Sequence, residues 1–376
     1  MNLPRRLRWA KPSSVNAIAL LAIGLAAHAL PARADDASPL RLLVQGDAVL
    51  ASQPSPRQDP QDPPSGSGLE LRRVRVGDEV SGHQLHARVL FEAQSHSAAG
   101  VSFPAPSGGQ LPFGGPIRVT EAFAGWAPHR GFEVDAGSLR VPFGLSRQTD
   151  EADLRLPQRP VFADALTADF RTGVSVGGDL GEILYRAAIL SADRTIEGHL
   201  FDAGFLAAGR VVAEPLGPVG LRAWRRGADD PWYGWFRFAA GLSVQYGTVT
   251  APKMLAIDPE LTAQWRRLVV SAEYFVSTRL QSGTSFQKTG AQGGVLEPGV
   301  TWLRRRLDVV ARAEWERTAG TTMWGAGAAV TAYAPDPRAR LTAGVERRWS
   351  RSDATVLVPL PATAYWAILR LTIAID

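Results

Sequence analysis

Five arginines share a setting that suits anion binding. Each falls on the polar side of a segment in which apolar and polar residues alternate. A guanidinium group stays charged at every physiological pH and holds oxyanions through forked N–H donors. A row of such groups would ease the passage of anions, provided that each contact is weak enough for release. The five candidate anion-binding residues are Arg88, Arg186, Arg210, Arg312 and Arg370.

The alternative for these arginines is structural. Acidic residues such as Glu92, Glu214 and Glu314 also fall on polar sides of alternating segments. If the arginines pair with such acids, they only stabilise the wall that carries them. The sequence leaves both interpretations open.

Motifs for catalysis or metal binding are few. Residues 173–177 match G-x-S-x-G around Ser175. That motif needs a strained turn between a strand and a helix, whereas here it lies within an alternating segment. The chain has no cysteine, which excludes thiolate metal sites and cysteine nucleophiles. His83 and His86 would lie on opposite faces of a strand, a poor geometry for a shared ion. We therefore expect no catalytic residues, no metal and no cofactor.

The formal net charge of +5 is concentrated in the first residues. Residues 1–34 combine a basic start, an apolar stretch and the small-x-small sequence 32–34, which together predict a secretory signal peptide. This segment holds five basic residues and no acidic ones. The remaining 35–376 are therefore close to neutral, which argues against a nucleic-acid partner.

The rest of the chain alternates with a period of two, the spacing of strands that have one apolar face. No segment after residue 34 gives a convincing helical period. The clearest alternating segments are 85–91, 183–189, 232–246, 268–276, 307–315 and 365–375.

Connections between these segments alternate between short and long. Short ones include 181–182, 266–267, 304–306 and 335–337, and long ones include 52–67, 95–115, 143–171, 279–294 and 350–361. Short periplasmic turns and long external loops are typical of bacterial outer-membrane barrels. A sheet in lipid must also close, because no backbone group can stay unpaired there. We predict an all-β fold, a transmembrane antiparallel β-barrel of about sixteen strands. The assignment of 219–260 stays open between strand and external loop.

Aromatic residues favour a membrane protein over the alternative, a soluble β-sandwich or solenoid with tryptophans in its core. They fall near the proposed strand ends, where aromatic girdles meet the membrane interface. These residues are Trp126, Trp224, Trp265, Trp302, Trp315, Tyr333, Trp349, Tyr365 and Trp366.

Two segments carry a family resemblance. Residues 68–77 read GLELRRVRVG, and residues 137–145 read GSLRVPFGL. The first resembles the doubled-arginine second strand of the phosphate-selective porin O and P family. The second resembles that family's Gly-x-x-Lys/Arg-Val-Pro-Phe segment, which leads into a loop folded into the pore. The resemblance implies a homotrimer of sixteen-stranded anion channels, in which loop 143–171 is the constriction and Arg140 stands at the family's basic position.

The predicted constriction loop holds charges of both signs. Its positive residues are Arg147, Arg155, Arg159 and Arg171, and its negative residues are Asp150, Glu151, Asp153, Asp164 and Asp169. Such opposed charges would set a transverse field across the pore. Arg140 is a special case, because strict alternation from Val134 points it toward lipid. Either a bulge at Gly137 resets the alternation, which we favour, or Arg140 lies at the rim.

These observations lead to one predicted function and two alternatives. We predict an outer-membrane porin, a passive diffusion channel for small hydrophilic solutes with a mild, phosphate-like anion preference. Its partners would be outer-membrane lipid, small anionic or hydrophilic solutes and further copies of the chain. The alternatives are an outer-membrane barrel hydrolase and a non-conducting barrel closed by loops 143–171 and 227–258.

Overall fold

The alternating segments form strands that pair in chain order. The computed structural model describes residues 40–52, 68–82, 84–94, 118–150, 153–166, 170–192, 204–217, 219, 235–248, 252–281, 288–302, 306–318, 321–334, 339–352 and 363–375. Within these residues sixteen antiparallel strands close into one barrel, because the first strand pairs with the last. The predicted signal peptide, 1–34, lies outside the described residues.

The first eight strands are β1 (Leu40–Ser52), β2 (Gly68–Gly82), β3 (Leu85–Gln94), β4 (Arg118–His129), β5 (Phe132–Arg140), β6 (Phe170–Asp179), β7 (Ile183–Ser191) and β8 (Phe205–Ala213). The other eight are β9 (Phe236–Thr248), β10 (Pro252–Trp265), β11 (Leu268–Gln281), β12 (Lys288–Trp302), β13 (Leu307–Thr318), β14 (Thr321–Tyr333), β15 (Ala339–Ser352) and β16 (Thr363–Ile375). Two short helices, α1 (Leu145–Gln148) and α2 (Val161–Leu166), lie between β5 and β6.

The two faces of the wall have opposite chemistry. Phe91 of β3 is 47% exposed, whereas its neighbours Leu90 and Glu92 are each 5% exposed. The same alternation runs through β9, where exposed Leu242 and Val244 flank fully buried Ser243. Because successive side chains of a strand point to opposite faces, the wall is apolar outside and largely polar inside. Aromatic residues near strand ends, such as Trp126, Trp265 and Tyr365, are exposed on the outside.

The connections divide the barrel into two ends. The short-turn end carries 83–84, 130–131, 180–182, 266–267, 303–306 and 334–338. At the other end, here called the long-loop end, consecutive strands are separated by 53–67, 95–117, 141–169, 192–204 and 353–362, and by the shorter 249–251, 282–287 and 319–320. In bacterial outer-membrane barrels the short turns face the periplasm.

Two predicted loops differ from the structure. Residues 236–248 and 252–258 are wall strands, so the proposed closing loop 227–258 is wrong. The long connection in this region is 214–235, and it lies at the short-turn end. The predicted long loop 279–294 is also wrong, because β11 and β12 extend into it and leave only 282–287. No helix among the described residues is long and apolar enough to cross a membrane.

Candidate functional site

Residues 141–150 and 153–166, the described part of the connection 141–169, fold into the barrel and are here called the interior loop. Phe143 and Phe162 of this loop are fully buried against Phe275 of β11. Phe275 has its ring centroid 5.9 Å from that of Phe143 and 6.2 Å from that of Phe162. The same apolar cluster includes Leu190 of β7 and Leu206 of β8. The interior loop therefore builds a small hydrophobic core inside an otherwise polar lumen.

Polar contacts fix the start of the interior loop to β9 and β11. The backbone N–H of Gly144 donates to Ser243 Oγ at 3.1 Å, and that of Ser146 donates to Glu273 Oε2 at 2.9 Å. Gly144 has φ 72°, and a Cβ there would lie 2.7 Å from Glu273 Oε1. Glycine at this position thus allows both the left-handed backbone and the close approach to the wall.

Arginines of β13, β15 and β16 hold the second half of the loop. Arg312 Nη1 donates to the carbonyl of Gln158 at 2.7 Å, and Arg348 Nη2 donates to that of Arg159 at 3.1 Å. Arg370 donates to the carbonyl of Pro157. Two arginines that we predicted to bind anions, Arg312 and Arg370, therefore contact the loop backbone, a role that the sequence did not reveal.

All five predicted wall arginines point inward, and each pairs with an acid. Arg88 lies 2.8 Å from Glu79 and 2.9 Å from Glu121, and Arg186 lies 3.0 Å from Asp135 and also contacts Glu133. The remaining pairs are Arg210–Glu260, Arg312–Glu297 and Arg370–Asp47.

Two of the acids that we expected to pair with these five arginines pair with other arginines instead. Glu92 pairs with Arg75 at 2.7 Å, and Glu314 pairs with Arg348 at 3.1 Å. Arg75 was visible in the doubled-arginine segment, but its importance depends on a contact that no local pattern shows. It also reaches Asp150 of the interior loop at 3.0 Å.

The position of Arg140 agrees with the second of the two alternatives, a place at the rim. Gly137 pairs in unbroken register with Phe123 of β4 and Gly173 of β6, so the predicted bulge at Gly137 is wrong. Arg140 is the last residue of β5, and from there its guanidinium reaches the carbonyl of Gln148 at 3.1 Å. It also lies 3.4 Å from Glu121 and 3.5 Å from Asp150. Because Arg140 ends the strand, the alternation of side chains no longer fixes its direction, and its guanidinium can turn inward.

The other arginines of the predicted loop are also engaged, either with the wall or within the loop. Arg155 pairs with Asp308 of β13 at 3.0 Å. Arg159 donates to the carbonyl of Ser146 within the interior loop. Arg147 is buried in α1, and Arg171 of β6 donates to the carbonyl of Phe170 at 2.9 Å.

Solvent reaches the lumen charges unevenly. The side chains of Arg312 and Arg370 are each 2% exposed. By contrast, those of Arg88 and Arg186 are 24% and 37% exposed. Arg88 of β3 and Arg186 of β7 are therefore accessible to solutes, whereas Arg312 and Arg370, which contact the interior loop, are not.

The structure brings Ser175 near a histidine and an acid. Ser175 Oγ donates to Asp135 Oδ2 at 3.4 Å, and His86 Nε2 lies 2.7 Å from Asp135 Oδ1. Asp135 thus stands between the serine and the histidine. In a catalytic triad the histidine stands between the other two, so that it can take the serine proton. Ser175 is also only 2% exposed, which leaves a hydrolase unsupported by this geometry.

Part of the chain matches a known protein family. Residues 57–218 match the family model of the phosphate-selective porins O and P. The resemblance predicted from segments 68–77 and 137–145 is thereby confirmed. Both this family match and the fold favour an outer-membrane channel over an enzyme. No curated protein matches the sequence.

Solved structures share this porin fold at low sequence identity. The anion-selective porin from Comamonas acidovorans is 12% identical, with a TM-score of 0.57 over 89% of this chain and 98% of that one. OmpT, an outer membrane protein of Vibrio cholerae in a trimer form, is 12% identical, with a TM-score of 0.56 over 90% and 100%. The outer membrane channel DcaP of Acinetobacter baumannii is 10% identical, with a TM-score of 0.54 over 89% and 96%. At these identities the likeness concerns the fold alone.

Proposed function

We propose that this protein is a passive diffusion channel of the bacterial outer membrane for small hydrophilic solutes, with a mild preference for anions. The observation that carries the proposal is the inverted wall, which is apolar outside and charged inside. A soluble barrel would bury its apolar side chains, whereas a barrel in lipid exposes them and lines its lumen with polar groups. The accessible charges of β3 and β7 give solutes a polar surface to follow.

Arg88 and Arg186 carry the proposed anion preference. Both are partly exposed in the lumen, although each is already paired with acids. A paired guanidinium still holds further N–H donors, since it has five of them. Weak contacts of this kind would lower the barrier for an anion without trapping it. The neighbouring Glu79, Glu121 and Glu133 keep the preference small.

Reversal potentials in planar bilayers test this proposal. Under a salt gradient we expect an anion-directed potential for the wild type. The double variant Arg88→Gln/Arg186→Gln should move that potential toward zero. Arg347→Gln removes the same charge from the outer face, where Arg347 lies over the Trp349 and Tyr365 rings, and should leave it unchanged. A cation-directed wild-type potential would overturn the anion preference.

The interior loop favours one second candidate, a barrel that is closed to ions. Its apolar cluster joins Phe143 and α2 to β7, β8 and β11, and its polar contacts reach β13, β15 and β16. In that case the wild type would show no conductance in bilayers. Detaching the loop, for example by Phe275→Ala, would then open the barrel. Conductance of the untreated wild type would exclude this candidate.

We further infer that residues 1–34 are a cleaved export signal, that 143–171 contains the pore constriction, and that three copies assemble. The trimer form of the Vibrio cholerae protein supports the last point by analogy of fold. N-terminal sequencing of protein purified from outer membranes should begin at Asp35. Light scattering with detergent correction should give three chains per particle. A chain that keeps residues 1–34, or a monomer, would contradict the respective inference.

A further inference from the structure

Three possible metal ligands meet on the inner wall near the short-turn end. His86 is the second residue of β3, and Glu133 and Asp135 are the second and fourth residues of β5. One imidazole nitrogen and one oxygen from each carboxylate all lie within 4.8 Å of one another. Asp135 is 2% exposed, whereas His86 and Glu133 are half-buried at the lumen surface. The cluster is therefore preformed and open to solutes on one side.

A glycine on the strand between them creates this meeting point. Gly125 of β4 pairs with His86 on one side and with Asp135 on the other. A Cβ at Gly125 would overlap both His86 Nε2 and Asp135 Oδ1. Because Gly125 has no side chain, residues from two strands that are not neighbours approach across it, to 2.7 Å.

We propose that His86, Glu133 and Asp135 bind a divalent transition metal ion of the Zn²⁺ type in the lumen. An imidazole nitrogen with two carboxylates suits Zn²⁺ and its neighbours, whereas Mg²⁺ and Ca²⁺ prefer oxygen ligands alone. Zn²⁺ lies about 2.0–2.2 Å from such ligands, so the three groups need only side-chain rotations to converge. Lumen water would complete the coordination.

Arg186 occupies the place of the ion in the metal-free protein. Its guanidinium lies 3.0 Å from Asp135 Oδ2 and also contacts Glu133. One positive charge thus faces two carboxylates, and a divalent ion would supply twice that charge. The Arg186 side chain is 37% exposed, so it has room to turn into the lumen when an ion binds. Arg186 is therefore a competitor of the metal and not a ligand.

Calorimetric titration of the full chain in detergent with ZnCl₂ tests the site. We expect one Zn²⁺ per chain and no comparable uptake of Mg²⁺. His86→Ala and Glu133→Gln should each weaken Zn²⁺ binding by more than about tenfold, the lower end of what losing even an outer partner of a metal site costs. His129→Ala is the matched control, since His129 is an exposed histidine at the same end of the barrel, and it should bind like the wild type.

Arg186→Gln gives the sharpest outcome, because it removes the competitor and should tighten Zn²⁺ binding several-fold. Absence of Zn²⁺ binding in the wild type, equal affinity in folded His86→Ala, or weaker binding in Arg186→Gln would each overturn the site. If His86→Ala does not fold, Glu133→Gln and Arg186→Gln still test the site. Glutamine nearly preserves the shape of glutamate and keeps a polar side chain in place of arginine. The titration does not depend on conductance, so its result stands whether or not the channel proposal holds.

Discussion

Arg155 and Asp308 form a two-pronged ion pair between the interior loop and the barrel wall. Arg155 Nε lies 3.0 Å from Asp308 Oδ2, and Arg155 Nη2 lies 3.0 Å from Asp308 Oδ1. The Asp308 carboxylate is fully buried, and Thr301 Oγ1 donates to it as well at 3.2 Å. This pair anchors the middle of the loop near the short-turn end of β13.

Arg155→Ala should loosen the interior loop, because it leaves Asp308 buried without its partner. Breaking a buried ion pair from one side costs about 3–5 kcal/mol. We expect a lower unfolding temperature together with larger or noisier single-channel currents. The double variant Arg155→Ala/Asp308→Ala should recover part of the lost stability. A single variant as stable as the wild type would show that the pair does not hold the loop.

Phe275→Ala should release the loop through the apolar cluster. Phe275 is fully buried between Phe143 and Phe162, and removing a buried phenylalanine side chain costs about 3–5 kcal/mol. Conductance should rise and unfolding should occur at lower denaturant. Tyr274→Ala changes the adjacent, outward-facing residue and serves as control. Equal effects of the two variants would place the disturbance in the wall and not in the loop.

Gly125→Ala should disturb the contact between His86 and Asp135, because a Cβ would overlap both side chains. We expect lower stability and weaker Zn²⁺ binding than in the wild type. Gly209 of β8 is the matched control, since the nearest atom to a Cβ there is 3.8 Å away. Gly209→Ala should behave like the wild type in both measurements. If Gly125→Ala matches Gly209→Ala, the proposed close approach across β4 is wrong.

Leu242→Arg should weaken insertion of the barrel into lipid. Leu242 is 49% exposed on the apolar face near the centre of β9. An arginine at the bilayer midplane costs about 2–4 kcal/mol in such barrels. Reversible unfolding in lipid vesicles measures this cost. An equal stability of Leu242→Arg and Leu242→Ala would mean that this face does not meet lipid.

Asp47→Asn should weaken the seam between the first and last strands. Asp47 and Arg370 are direct partners across β1 and β16, 2.7 and 2.8 Å apart, and both are nearly fully buried. Neutralising the acid leaves a buried guanidinium without its counter-charge. We expect a lower yield of the compact, heat-modifiable form on semi-native gels. Glu79→Gln, at a more exposed pair, should have the smaller effect, and the reverse order would contradict this account.

The strand number and the outward faces were predictable because the signal is local. Successive side chains alternate, so residues such as Phe91 and Leu242 reveal the lipid face without knowledge of any neighbour. The inward course of the interior loop followed from the family resemblance. The region 219–260 was less predictable, because its one long connection, 214–235, lies at the end where the other turns are short.

The sequence by itself therefore determined a sixteen-stranded barrel with an apolar exterior and arginines inside. Only the tertiary structure decided what those arginines touch. Arg370 meets Asp47, 323 positions away, and His86 meets Asp135 across a glycine on a third strand. Such contacts depend on the register between strands and on barrel closure, which pair residues that are distant in the chain. A local alternation pattern carries no information about that register, and so the partners of the lumen charges emerged only from the fold.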